Sequence, residues 1–301
     1  FIMKAKSFLI TSILSLVLLA ACEKSEIPDR IMVAEGARVC FFNLSTDAPE
    51  INLYFNDARV TTQSSSVIGK LRGIPYRSSY PGAVTIIPTA ATTPTSYVGA
   101  EYFVTTAGNI NIAAKDTLFK AGHTTFFTAS FNFEKDKYYS VFAVEPKAAM
   151  LPVIIEDKIE AFTTKLKTKM RCVNMLAGVA GNKIDLWLIH QPATGKPPMP
   201  AYKLSSGVDY KGATQFTDTI SSGTYKWMVT KAGAVPTANT PPATLGNPYN
   251  LTFAAADIVI NKATTNTSLS QRTTYSFLLF GKVGGTGTAA PYGNIFRNRL
   301  N

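Results

Sequence analysis

From residue 36 onward the chain is a succession of short alternations of apolar and polar residues, each ended by Gly, Pro, Asn or Asp. Such period-two runs between turn residues predict strands, because successive side chains of a strand point to opposite faces. In the first half the pattern predicts strands at 37–44, 50–56, 67–72, 82–87, 98–104, 108–114, 124–131 and 137–145. In the second half it predicts them at 168–175, 183–190, 201–205, 214–219, 223–230, 249–252, 257–262 and 273–282. No long stretch carries helical periodicity, so the class is all-β. Val39, Phe41 and Asn43 fall on one face of the first strand, and Cys40, Phe42 and Leu44 on the other. Apolar residues on both faces predict a strand that is covered on both sides or lies at a domain interface.

The two halves repeat each other. Asn43 in ARVCFFN matches Asn174 in KMRCVN, 131 positions on. Ile51–Phe55 (INLYF) matches Ile184–Leu188 (IDLWL), and Tyr139–Val144 matches Tyr275–Phe280, 136 positions on. Three anchors in the same order at nearly constant offset indicate a tandem duplication. About eight strands in each half suggest two tandem immunoglobulin-like β-sandwich domains. The expected organisation is a leader at 1–21, a tether at 22–35, a first repeat at 36–150, a linker at 151–167 and a second repeat at 168–301. The linker is placed where Pro146, Pro152, Glu156, Asp157 and a Lys-rich stretch break the pattern. The second repeat carries Pro/Gly-rich insertions at 192–200 and 232–248 and a loop at 284–288. Long loops on a rigid sandwich are common places for binding.

The first two dozen residues carry an address. Met3 reads as the start, Lys4 and Lys6 form a positive n-region, and residues 8–21 are uncharged and mostly apolar. Those 14 residues fall short of the ~20 a membrane-spanning helix needs and match the core of a signal peptide. Leu19, Ala20, Ala21 and Cys22 resemble the bacterial lipobox. The resemblance implies cleavage before Cys22, lipidation of its thiol and anchoring of the chain to a membrane. Two or three acyl chains make that anchoring effectively permanent. Glu23 and Glu26 after the cysteine resemble the export signal of Bacteroidota surface lipoproteins, with Lys24 interrupting the acids. The expected location is the outer membrane, at the cell surface, with the periplasmic face as the alternative.

Composition narrows the chemistry. Loss of Lys4 and Lys6 with the leader lowers the formal charge from +11 to +9. The basic residues are spread rather than clustered, which argues against nucleic acid as a partner. Lys165, Lys167, Lys169 and Arg171 alternate, as on one solvated strand face. With Cys22 lipidated, Cys40 and Cys172 remain. They fall in equivalent strands of different repeats, so buried free thiols are expected rather than a bridge. The chain has two histidines, His123 and His190, and neither sits in a recognisable catalytic or metal-binding motif. We therefore expect no enzyme, no cofactor and no metal site. Asp185 between Ile184 and Leu186 is expected to pair with Arg171, and Glu156-Asp157 to solvate the linker.

The run Arg38 to Tyr54 (RVCFFNLSTDAPEINLY) resembles the opening of domain of unknown function 4397, which is common, often in tandem, in Bacteroidota surface lipoproteins. The second repeat supplies that opening's Arg, Asn and Asp as Arg171, Asn174 and Asp185. The first repeat has Cys40 and Asn52 in place of the Arg and Asp, and keeps Ser45, Asp47, Ala48 and Pro49. Residues 151–157 (LPVIIED) resemble the family's connector into the next copy. The resemblance covers most of 36–282 and implies an immunoglobulin-like sandwich, an extracytoplasmic address and no activity.

The expected function is a non-catalytic cell-envelope lipoprotein that binds or scaffolds, as an adhesin or an accessory subunit of an outer-membrane complex. Its expected partners are the membrane, through the lipid, and a protein or glycan. The alternative is a glycan-binding surface lipoprotein for nutrient capture, which needs exposed aromatics. Tyr225, Trp227 and Trp187 are the residues named for that role. Trp187 and Tyr54 share a strand position in the two repeats, which is what core residues would do.

Overall fold

A computed structural model describes residues 35–61, 73–81, 98–99, 102–117, 123–160, 162, 167–261 and 266–300. The leader, the lipobox residues and the strands expected at 67–72 and 82–87 lie outside them. Gly36–Asn301 form one compact unit.

The first repeat runs β1 (Ala37–Asn43), β2 (Ile51–Phe55), β3 (Ala58–Arg59), β4 (Ser78–Tyr80), β5 (Val98–Gly99), β6 (Phe103–Thr105), β7 (Gly108–Asp116), β8 (Thr125–Phe133), β9 (Tyr138–Val144) and β10 (Leu151–Glu156). The second runs β11 (Lys167–Ala177), β12 (Lys183–Gln191), β13 (Tyr202–Asp209), β14 (Gly212–Ala213), β15 (Thr217–Ser221), β16 (Gly223–Lys231), β17 (Ala238–Thr240), β18 (Asn250–Thr252), β19 (Ile258–Asn261), β20 (Thr267–Leu269), β21 (Thr273–Lys282) and β22 (Tyr292–Leu300). The all-β class expected from the alternation is the observed one.

Four main sheets form. In the first repeat, β3–β2–β7–β8 faces β10–β9–β1–β4, with β6 also on β1. In the second, β13–β12–β16–β19 faces β14–β11–β21–β22–β5. The long central pairs β1–β9 and β11–β21 are both parallel. Their side chains alternate between two cores. Val39, Phe41 and Val141 pack inward against Leu53 and Ile112 of the first repeat. Cys40, Phe42 and Phe142 point the other way, onto Val173, Leu278, Phe280 and Phe296 of the second. The two-faced apolar pattern of β1 thus has a cause: its sheet lies between two hydrophobic cores. Burial on both faces stabilises by roughly 25 cal/mol for each Å² of apolar surface removed from water.

The repeats share hydrogen bonds as well as strands. Asn43 Nδ2 donates to the Ile74 carbonyl (2.9 Å), and its Oδ1 accepts from Ser45 N (3.2 Å). Asn174 does the same with the Val208 carbonyl (2.9 Å) and Leu176 N (3.1 Å). Tyr139 Oη accepts from Glu134 N (3.1 Å), and Tyr275 Oη from Ser270 N (3.0 Å). Each tyrosine fastens the backbone five residues upstream.

The segment 151–167 departs from its expected role as a linker. Leu151–Glu156 pairs antiparallel with β9, as β22 pairs with β21 at the end of the second repeat. Pro152 argued against a strand, but β10 is an edge strand, where one missing donor is tolerated. Asp157 is not a solvated linker residue either; it is 1% exposed. Its Oδ1 accepts from Arg171 Nη2, and its Oδ2 from Tyr102 Oη (2.7 Å) and Ser140 Oγ (2.7 Å). Arg171 Nε donates to Ser276 Oγ (2.7 Å), Ser276 Oγ to Asn298 Oδ1 (2.7 Å), and Asn298 Nδ2 to Tyr102 Oη (3.1 Å). A closed polar ring therefore ties the two repeats together inside an otherwise apolar interface. Burial, then the Asp157 charge, pushes the Tyr102 phenol and the Cys40 thiol well above their ordinary ranges. The expected Arg171–Asp185 pair does not form. Asp185 instead accepts from Lys203 Nζ (2.6 Å), Gly207 N (2.7 Å) and Gly233 N (3.1 Å). Cys40 and Cys172 are buried free thiols, as expected.

Candidate binding surface on the second repeat

The three aromatics named for sugar stacking are core residues: Tyr225 is 1%, Trp227 4% and Trp187 7% exposed. Tyr225 and Trp227 lie on the inward face of β16. Trp227 meets Phe277 edge-on at 4.6 Å, and Gly293 passes so close that a Cβ there would stand 2.9 Å from the indole. Tyr225 donates its hydroxyl to the Ser221 carbonyl (2.9 Å), and burial pushes the phenol up to about 12. No stacking platform is formed by these residues, and the glycan role assigned to them is overturned. Inward alternation with the apolar residues of β16 decided the matter.

Trp187 is buried for a different reason. It lies on the outer face of β12, the side a two-sheet sandwich ordinarily leaves to water. There it joins Ile189, Met228, Leu251 and Phe253 in a separate cluster. Its Nε1 donates to Thr230 Oγ1 (3.3 Å), Phe253 lies at 5.2 Å, and Lys203 Nζ sits over the ring at 5.0 Å. Lys203 is held there by Asp185, the buried carboxylate beneath it.

What covers Trp187 comes chiefly from the hairpin β17–β18 and the residues flanking it: Ala234, Tyr249, Leu251 and Phe253. Residues 232–248 lead into and through the hairpin β17–β18, whose strands pair Ala238 with Thr252 and Thr240 with Asn250. Thr237 and Thr252 join hydroxyls at 2.9 Å, and Asn239 Nδ2 donates to the Ala201 carbonyl (3.3 Å). The hairpin loop then meets the other insertion: Gly246 N donates to the Lys196 carbonyl (3.0 Å). Gly246 has φ +89°, and a Cβ there would lie 3.2 Å from Gly195 N, so glycine permits both the turn and the approach. Two segments about fifty positions apart in sequence thus dock on each other, and the hairpin packs on the Trp187 cluster as a cap.

The cap is chemically distinctive. From 232 to 256 there is no charged residue, and seven prolines lie in 197–248. Val235 is 76% and Leu245 62% exposed; with Val104 and Val283 they are the exposed large hydrophobics among the described residues. The sequence marked a long Pro/Gly-rich insertion here without singling out Val235 or Leu245. The uncharged run around them was the available signal.

The histidines have other surroundings. His123 Nδ1 lies 3.3 Å from Asp116 Oδ1, and Asp116 Oδ2 accepts from Thr124 N (3.1 Å). Asp116 thereby fastens the end of β7 to the start of β8, and His123 is more than a lone residue. His190 stacks edge-on against Tyr225 at 5.3 Å, and burial lowers its pKa. Among the described residues, no group of three His, Cys, Asp or Glu side chains is placed to hold a metal. No protein-family model and no curated protein matches this chain, so its functional reading rests on this geometry.

Proposed function

We propose that the chain is a non-catalytic lipoprotein of the bacterial cell envelope, held at the outer membrane by lipid on Cys22, whose second repeat presents its cap to a protein partner. The observation that carries this reading is the cap itself. An uncharged, proline-rich loop region with Val235 and Leu245 exposed offers apolar contact area on an ordered loop, which favours a protein-binding role. Proline limits the entropy lost when such a loop is bound. In this reading the tandem halves are immunoglobulin-like sandwiches of the domain of unknown function 4397 type. The duplicated roles of Asn43 and Asn174, and of Tyr139 and Tyr275, support it.

Protease treatment of intact cells tests the address. We expect the chain to be degraded on intact cells, and a Cys22→Ala variant to leave the membrane fraction. A wild-type chain that stays protected would place the cap in the periplasm and redirect the partner search there. A photo-crosslinker at the exposed position 243 tests the cap. Adducts with an envelope protein, lost in the Val235→Asp/Leu245→Asp variant, are expected. Absence of any adduct in either location would overturn the cap's role.

A further inference from the structure

A sheet edge ends on unpaired backbone groups, and folds guard such edges with short strands, charges, prolines or bulges. The edges here carry those guards with one exception among the described residues. β3, β5 and β14 are two residues long. β10 contains Pro152 and Glu156. β13 contains Lys203 and Asp209 and is irregular at two points. In the second repeat, the edge beyond β16 is split into the short β19 and β20. Its counterpart in the first repeat, β8, is continuous for nine residues (TFFTASFNF), without a charge or a proline. Among the described strands it pairs with β7 alone, and β10 passes nearby without pairing.

We propose that β8 is a self-association edge, pairing antiparallel with β8 of a second copy about a two-fold axis at Ala129. The sequence around Ala129 is close to self-complementary in that register. Phe127 comes opposite Phe131, and Thr128 opposite Ser130. An axis perpendicular to the sheet keeps Phe127 and Phe131 on the core side, where both already pack. Thr128 and Ser130 stay on the exposed side. Aromatic pairs and hydroxyl pairs directly across two antiparallel strands are stabilising, and here no charge meets its twin. The two-fold uses each β8 once and closes, giving a dimer rather than a fibre. Two four-stranded sheets become one of eight strands. One strand pair buries less than the ~1,600 Å² of a standard interface, so the dimer is weak and concentration-dependent. Copies confined to one membrane would meet at a higher effective concentration.

Sedimentation velocity tests this on the chain from residue 22 onward, carrying Cys22→Ser and keeping Gly36–Asn301 whole. Between low and several hundred micromolar we expect a monomer–dimer equilibrium. Thr128→Lys/Ser130→Lys, on exposed positions, should weaken it at least about tenfold, a loss of about 1.4 kcal/mol. Thr128→Glu/Ser130→Glu should do the same alone. An equimolar mixture of the two variants should associate again, because each introduced lysine faces an introduced glutamate. Thermal unfolding of each variant confirms that it is folded. A wild-type chain that stays monomeric, a dimer that the lysines leave intact, or a mixture that fails to reassociate would each overturn the proposal. So would a monomer that takes up a foreign strand peptide at β8 in place of its own copy.

Discussion

Tyr54 and Trp187 occupy the same strand position in the two repeats, and both carry a lysine over the ring: Lys115 at 4.7 Å and Lys203 at 5.0 Å. Tyr54 is half-buried on the outer face of its sheet, among Asn109, Asn111, Ser130 and Asn132, which are exposed. Trp187 is buried beneath the cap. The difference follows from what the chain adds beside each strand. The first repeat adds nothing over this face among the described residues, so polar side chains suit it. The second adds the hairpin β17–β18, and its outer face is apolar where the hairpin packs. Two corresponding sheets thus differ on their outer faces: one is left wet, the other is covered by the cap.

That contrast can be broken in graded ways. The largest effect is expected at the polar ring that both repeats share. Asp157→Ala leaves the Arg171 guanidinium buried without its carboxylate, and should cost ~3–5 kcal/mol in urea unfolding. The wild type should unfold in one transition, since an apolar core and a charged pair join the halves. Two separate transitions would mean that the repeats are independent after all. Next is Trp187→Ala, expected to cost ~3–5 kcal/mol and to open 241–246 to limited proteolysis. Tyr54→Ala should cost clearly less and expose no cap. Equal losses at the two positions would argue that the cap contributes nothing to burying Trp187.

Asn43→Ala and Asn174→Ala come third, at ~1–3 kcal/mol each, because each removes a buried side-chain bond to a carbonyl and takes the partner from a buried amide. Similar values would sharpen the equivalence of the repeats, and a large disparity would weaken it. The smallest effect belongs to the surface bridge between repeats. Glu145 accepts from Lys211 Nζ (2.6 Å) and Tyr210 Oη (3.0 Å). Burial raises its pKa, but the Lys211 and Tyr210 bonds outweigh that and hold the carboxyl below its usual value. A lowered folded pKa gives stability that is full above the unfolded value of ~4.3 and lost as pH falls through the folded one. Glu145→Gln should therefore flatten the acid limb of the stability curve slightly and leave neutral pH nearly unchanged.

Much of the fold was legible in the sequence, and the failures have definite causes. β21 matches its expected range, 273–282, because strong apolar alternation and flanking turn residues agree there. β10 was read as linker because Pro152 breaks a central strand but not an edge. β22 was missed because Arg297 and Asn298 interrupt its apolar residues; Asn298 is polar yet buried, satisfied by Ser276 and Tyr102. Asp157 looked like a solvated acid because its partner Arg171 comes from another strand. Trp187 was rightly suspected of being core, but its burial depends on a hairpin that begins about fifty residues later.

Local chemistry determined what local chemistry can determine. Period-two alternation set the all-β class, the repeated anchors set the duplication, and the leader with Cys22 set the expectation of a lipid anchor. Each of these is written in neighbouring residues, or in a pattern that recurs. Tertiary structure alone decided which carboxylate meets Arg171, that the two halves share a core, that the β17–β18 hairpin closes over Trp187, and that β8 is left as the unguarded edge among the described strands. Those outcomes depend on which distant surfaces meet and exclude water, and no single stretch of the chain encodes that meeting.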